Sequence, residues 1–124
     1  MDERERQQLV DAICSVRCGA AQSEGELHEL IRCALEAAGF SPAHEVRLAP
    51  RCRIDFLVGD LGIEMKKSRP NAALLTRQLA RYAACDQIAQ LLVIAPRGVK
   101  LPKMIGGKPV FQISLERLWG ISLP

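Results

Sequence analysis

The chain has no apolar run near the roughly 18 residues that a membrane span requires. Its first residues, Met-Asp-Glu-Arg-Glu-Arg, are charged and contain no apolar stretch of the kind a secretory leader uses. It has no internal repeat and no low-complexity segment. Its five cysteines are odd in number and form no CxxC pair. A disulfide scaffold and a cysteine zinc site are therefore poor readings, and reduced thiols in the cytoplasm fit better. Cys14 and Cys18, four apart, read as buried thiols on one helix face.

With 124 residues, the chain is long enough for one domain with a real core. Its net charge of +3 hides a division. Residues 1–45 hold four basic and nine acidic side chains, whereas residues 46–103 hold eleven basic and four acidic. A basic second half fits a polyanionic partner, and a solvated surface with segregated charge is the alternative.

Helix spacing at Leu9, Val10, Ile13 and Val16 predicts a helix over 3–18, ended by Cys18-Gly19. A second helix opens at Ser23, where Glu26 three residues on completes a capping box. Its apolar stripe is Leu27, Leu30, Ile31, Ala34, Leu35 and Ala38, and Gly39 serves as its C-cap. Glu24 falls at the inward edge of this helix, where it also complements the helix dipole. Glu29 and Glu36 fall on the outer face, and His28 is placed on the surface or rim, in reach of a phosphate.

His44–Leu48 alternates as a first strand, with Glu45 facing solvent in preference to supporting the site from a neighbouring strand. Arg51 and Arg53 bracket the next strand. At the centre of the chain lies Arg53-Ile54-Asp55-Phe56-Leu57-Val58-Gly59-Asp60-Leu61-Gly62-Ile63-Glu64-Met65-Lys66. Ile54, Phe56 and Val58 share a face by the period of two, and Gly59, Asp60 and Gly62 supply a turn. Glu64 and Lys66 share the opposite face from Ile63 and Met65. Pairing as a hairpin brings Asp55 toward Glu64. Gathering two acids and a lysine in a core strand is costly without a ligand. Two carboxylates from different strands suit a hard divalent cation.

Lys67, Arg69 and their neighbours form a basic loop into a helix with Asn71 as N-cap and Leu74, Leu75, Leu79 and Tyr82 inward. Gln78 and Tyr82 share a face one turn apart, as do Arg77 and Arg81, which either grip a backbone or face solvent. Gln90–Ala95 is a continuous apolar run, the pattern of a strand covered on both sides. Residues 101–108 read as a basic loop. Pro109–Ile113 reads as an edge strand, and Leu115–Trp119 as a closing turn or helix.

Asp55 followed by Glu64-Met65-Lys66 resembles the D…(D/E)xK signature of the PD-(D/E)xK, or restriction-endonuclease-like, nuclease superfamily, with Ile54 where the name has proline. Gln78-Leu79-Ala80-Arg81-Tyr82 is similar to the QhxxY motif of its RecB-like members. The resemblance covers about residues 23 to 95. It implies an α/β fold with an αβββαβ core, a mixed sheet flanked by helices, here with an added N-terminal helix. It implies Mg²⁺, replaceable by Mn²⁺, on Asp55, Glu64, the Met65 carbonyl and a helix acid. That acid is Glu24 by face and spacing, with Glu26 and Glu29 as fallbacks. Lys66 would act on water or phosphate, and Gln78 on the site or bound DNA. Arg51, Arg53, Lys67, Arg69, Arg77, Arg81 and Tyr82 are the expected nucleic-acid contacts. The implied activity is hydrolysis of DNA, with branched or end structures as the candidate substrates and a homodimer if two cuts are made. A non-catalytic binding module on the same fold is the alternative.

Overall fold

The computed structural model describes residues 1–16 and 23–115. Helix α1 spans Glu3–Cys14, α2 Glu24–Ala37, strand β1 Ala43–Ala49, β2 Cys52–Val58 and β3 Leu61–Met65. Then come α3 at Ala72–Ala83, β4 at Gln90–Ala95, β5 at Met104–Ile105 and β6 at Lys108–Ser114. The strands form one mixed sheet in the order β1-β2-β3-β4-β6-β5. Strands β1, β2 and β3 run antiparallel, and β3, β4 and β6 are parallel. No described helix is long and apolar enough to cross a membrane.

Helices cover both faces of the sheet, which is why the parallel strands β3 and β4 are buried at every residue. On one face Leu9 and Ile13 of α1 and Leu27, Ile31 and Leu35 of α2 pack on Phe56, Val58, Ile63, Met65, Leu92 and Ile94. On the other, Leu75, Leu79 and Tyr82 of α3 pack on Ile54, Leu91 and Val93.

The local signals for α2 hold. Ser23 accepts from the Glu26 amide and the Glu26 carboxylate accepts from the Ser23 amide. At the other end the cap is Ala38, and Gly39 lies just past it with φ of 93°. The Gly39 and Phe40 amides donate back to Glu36 and Leu35, a double closure that needs a left-handed residue at this point. The Asn71 side chain caps α3 by accepting from the Leu74 amide.

Several expectations are corrected. Helix α1 ends at Cys14, where the Ser15 hydroxyl donates to the Ala12 carbonyl. Val16 remains buried in the turn that follows, while Cys18 and Gly19 lie outside the described residues, as does 116–119 of the expected closing helix. Leu74 is 59% exposed, because the buried stripe of α3 runs through Leu75, Leu79, Tyr82 and Ala83, one position round. Gly62 belongs to β3 and not to the turn: a Cβ there would stand 2.5 Å from Ile54 Cδ1 and 2.8 Å from Ile88 Cδ1. Met104 and Ile105, expected in a loop, form β5, which turns through Gly106-Gly107 into β6. Strand β6 is therefore not the outermost, although β5 covers only its first two residues.

Strand β2 holds the correction that matters for the site. Ile54 does not share a face with Phe56 and Val58; it packs beneath α3 while they pack beneath α1 and α2. The alternation slips by one step at Asp55. Pairing of β2 with β3 runs from Val58 only to Phe56. Beyond it, the Asp55 carboxylate takes the Met65 amide at 2.8 Å in place of a ladder bond. Glu45, the β1 residue between the pairs His44–Phe56 and Val46–Ile54, has φ of 52° and is exposed, as expected of its side chain.

Candidate metal centre

Two groups of polar side chains stand out, and the expected Asp55–Glu64 metal pair is divided between them, Glu64 in the first and Asp55 in the second. The first comes from β3 and α3. Alternation along β3 sends Ile63 and Met65 to the core beneath α1 and α2, and Glu64 to the α3 side. Glu64 is only 4% exposed. Its Oε1 accepts from the Tyr82 hydroxyl at 2.9 Å, and its Oε2 accepts from Gln78 Nε2 at 3.3 Å and Lys66 Nζ at 3.1 Å. Gln78 Nε2 also donates to the Tyr82 oxygen, and the Tyr82 hydroxyl lies 2.9 Å from the Arg53 carbonyl. The four-residue spacing of Gln78 and Tyr82 thus delivers two polar groups to one buried carboxylate.

The second group comes from α2. Glu24 and His28 are one turn apart and face β2. His28 Nε2 lies 3.7 Å from Glu24 Oε1 and 3.9 Å from Asp55 Oδ2. One ligand atom from each of Glu24, His28 and Asp55 lies within 4.8 Å of the others. This group could hold a metal ion. Ligands about 2.1 Å from a small divalent ion sit about 3.0–4.2 Å apart, the spacing of an octahedral shell. His28 itself is 6% exposed, and its Nε2 is a buried nitrogen with no hydrogen-bond partner. Such an orphan is expensive unless something accepts its lone pair, so the donor set fits a cation.

Electrostatics agree with this placement. Burial pushes the Asp55 carboxyl above its ordinary range, against the Met65 amide, which pulls it down. Burial also raises Glu64, with the Asp55 charge adding to it and Lys66 opposing. The fold thus disfavours both negative charges without a counter-ion. A carboxyl whose folded pKa lies above its unfolded value contributes stability below the unfolded value and loses it as pH rises through the folded one. In EDTA, the stability of the parent relative to Glu64→Gln should therefore fall as pH rises above the ordinary 4.5 of a glutamate. Urea unfolding across pH measures it, and a flat difference would show that the Glu64 charge is not penalised.

The other expected residues are distributed as follows. Of the three helix acids, Glu24 reaches the centre. Glu26 is committed to the cap, and Glu29 pairs with Arg32 on the exposed side. Met65 meets Asp55 through its amide. Lys66, Lys67, Arg77, Gln78 and Arg81 line a cleft of about 520 Å³ at the start of α3, next to Glu64. Arg69 is exposed in the loop entering it. Arg51 and Arg53 flank a separate depression near the β1–β2 turn, together with Arg47. Tyr82 is 2% exposed, which places it behind Glu64 and out of reach of a nucleic-acid backbone.

Two residues were misread or passed over in the sequence. His28, expected at the rim, is buried, and the signal was its spacing to Ile31 and Leu35, three and seven residues on. His44 was read only as part of a strand, yet its Nε2 lies 2.9 Å from His28 Nδ1.

In comparisons with family models, with curated proteins and with solved structures, the chain matches none.

Proposed function

We propose that the protein is a divalent-metal-dependent nuclease that hydrolyses DNA phosphodiester bonds on a restriction-endonuclease-like αβββαβ core. The observation that carries this reading is a half-buried Asp55 and a buried Glu64 on neighbouring strands, with the Lys66 ammonium 3.1 Å from Glu64. A third acid and an unsatisfied histidine nitrogen stand beside Asp55. A bound Mg²⁺ or Mn²⁺ would polarise the scissile phosphate and acidify a water.

In this reading Asp55, Glu24 and His28 are the ion's side-chain ligands. Glu64 would steady Lys66, whose ammonium would offset charge growing on the phosphate. Gln78 and Tyr82 fix the Glu64 carboxylate. The basic cleft on α3, with Arg77 and Arg81, receives the flanking phosphates. Junctions, flaps and ends, which are read through backbone shape, are the substrates to test first. Paired cuts across a junction would need a homodimer.

Labelled linear, flapped, single-stranded and four-way DNAs, incubated with Mn²⁺ or Mg²⁺ and with EDTA, test the proposal. Cleavage of at least one substrate, abolished by EDTA, is the expected result. DNA retained equally well in EDTA, with no substrate cut under any condition, would instead make the chain a binding module.

A further inference from the structure

We propose that His44 is a positioning residue that holds His28 in the one tautomer able to bind a metal. The inference rests on the metal centre of the proposed nuclease and adds a residue that does not touch the ion.

The two histidines are the only ones in the chain, and they meet. His28 Nδ1 and His44 Nε2 are 2.9 Å apart, a separation that requires one proton between them. If His44 donates it, the His28 proton sits on Nε2. That N–H then points between Glu24 Oε1 at 3.7 Å and Asp55 Oδ2 at 3.9 Å, too far for a hydrogen bond with either. If His28 donates through Nδ1, the Nε2 lone pair faces the gap between the two carboxylates. Three electron-rich atoms facing one another are stable only around a cation. A nitrogen that binds a metal carries no proton, so a loaded His28 must donate through Nδ1, and His44 Nε2 is the acceptor it has.

The acceptor is braced. His44 lies opposite Phe56 in the β1–β2 register, and its ring stacks on the Phe56 ring at 4.8 Å between centroids and 23° between planes. Phe56 is fully buried and also touches the His28 ring, at 5.5 Å. The edge-on approach of the two imidazoles, at 75°, aims one nitrogen at the other. A metal-bound imidazole ordinarily gives its second N–H to a carboxylate or a carbonyl, and loss of that acceptor weakens the metal by about 10–100-fold. Here a second imidazole takes the place of that acceptor. A nitrogen among carboxylates also moves the preference of the centre from Ca²⁺ and Mg²⁺ toward first-row transition ions, so Mn²⁺ is the probe of choice.

The test is Mn²⁺ titration of the whole chain without nucleic acid, followed by calorimetry and by the Mn²⁺ electron paramagnetic resonance signal. His44→Leu removes the acceptor and should weaken Mn²⁺ about 10–100-fold. His44→Gln supplies an amide oxygen that accepts from Nδ1 and should stay within a few-fold of the parent. His44→Lys offers only donors and should behave like the leucine variant. The loaded parent gives a readout that needs no variant: with diamagnetic Zn²⁺ in place of Mn²⁺, ¹⁵N-edited imidazole spectra should show the His28 proton on Nδ1.

A proton on Nε2 in the loaded parent would overturn the inference, and so would a leucine variant that binds Mn²⁺ as the parent does or a glutamine variant no better than leucine. A folded parent that binds no Mn²⁺ would remove the metal centre and the inference together. Mn²⁺ binding that obeys the leucine–glutamine contrast, in a protein that cuts no DNA, would sustain the inference and end the nuclease reading alone.

Discussion

Asp55→Asn should lose DNA cleavage by about 10²–10³-fold or more while its unfolding transition stays close to that of the parent. The asparagine keeps a side-chain oxygen for the Met65 amide, the contact that replaces a ladder bond where β2 leaves β3. It removes the charge that an ion requires. Lys66→Met should show a loss of the same order for a different reason. Its Nζ sits 3.1 Å from Glu64 Oε2 with the side chain 29% exposed, so it faces both the buried acid and the cleft. Without it a phosphate bound there would develop charge beside Glu64 with no ammonium to offset it. Single-turnover cleavage, with circular dichroism as the check on folding, separates chemistry from stability. If both variants cut DNA at the parental rate, Asp55 and Lys66 do not carry the reaction.

Tyr82→Phe should lower the unfolding free energy by about 2 kcal/mol, the scale of a lost hydrogen bond to a charged group in the interior. Burial, reinforced by Glu64, raises the phenol far above its ordinary range, so it stays a donor at any working pH. The hydroxyl is 2.9 Å from both Glu64 Oε1 and the Arg53 carbonyl. Phenylalanine keeps the packing against Ile54 and Leu79 and removes the donor alone. The carboxylate left short of a partner should also tilt, so cleavage should fall together with stability. Urea unfolding at neutral pH measures the first effect. A variant as stable as its parent would mean that water satisfies Glu64 as well as Tyr82 does.

The parts of this structure that could be read from the chain are those decided by near neighbours. Ser23 with Glu26, Asn71 before α3 and Gly59-Asp60 between β2 and β3 each act within four residues, and each stands where the spacing put it. The same holds for Gln78 and Tyr82, whose shared face follows from one helical turn. What escaped depends on partners far along the chain. The slip at Asp55 arises because Ile54 must reach α3 while Phe56 must reach α2, and a period of two cannot register two layers at once. Gly62 looked like a turn residue because its neighbours are Asp60 and Leu61; its reason lies in Ile54 and Ile88. His28 looked peripheral because a polar side chain is ordinarily exposed, and the group that makes it internal, His44, sits on a strand sixteen residues away.

Helix α3 carries two tasks on adjacent sides of one rod. Gln78 and Tyr82 grip Glu64 from within, and Arg77 and Arg81 stand on the outside, each one position earlier in the chain. Over twelve residues a helix hardly bends. The span between the Cα atoms of those arginines and the inner carboxylate is consequently a constant of the molecule, like the jaws of a locked caliper. A strand of phosphates seated against those arginines would be kept within one side-chain length of a fixed distance from Glu64, whatever bases it carried.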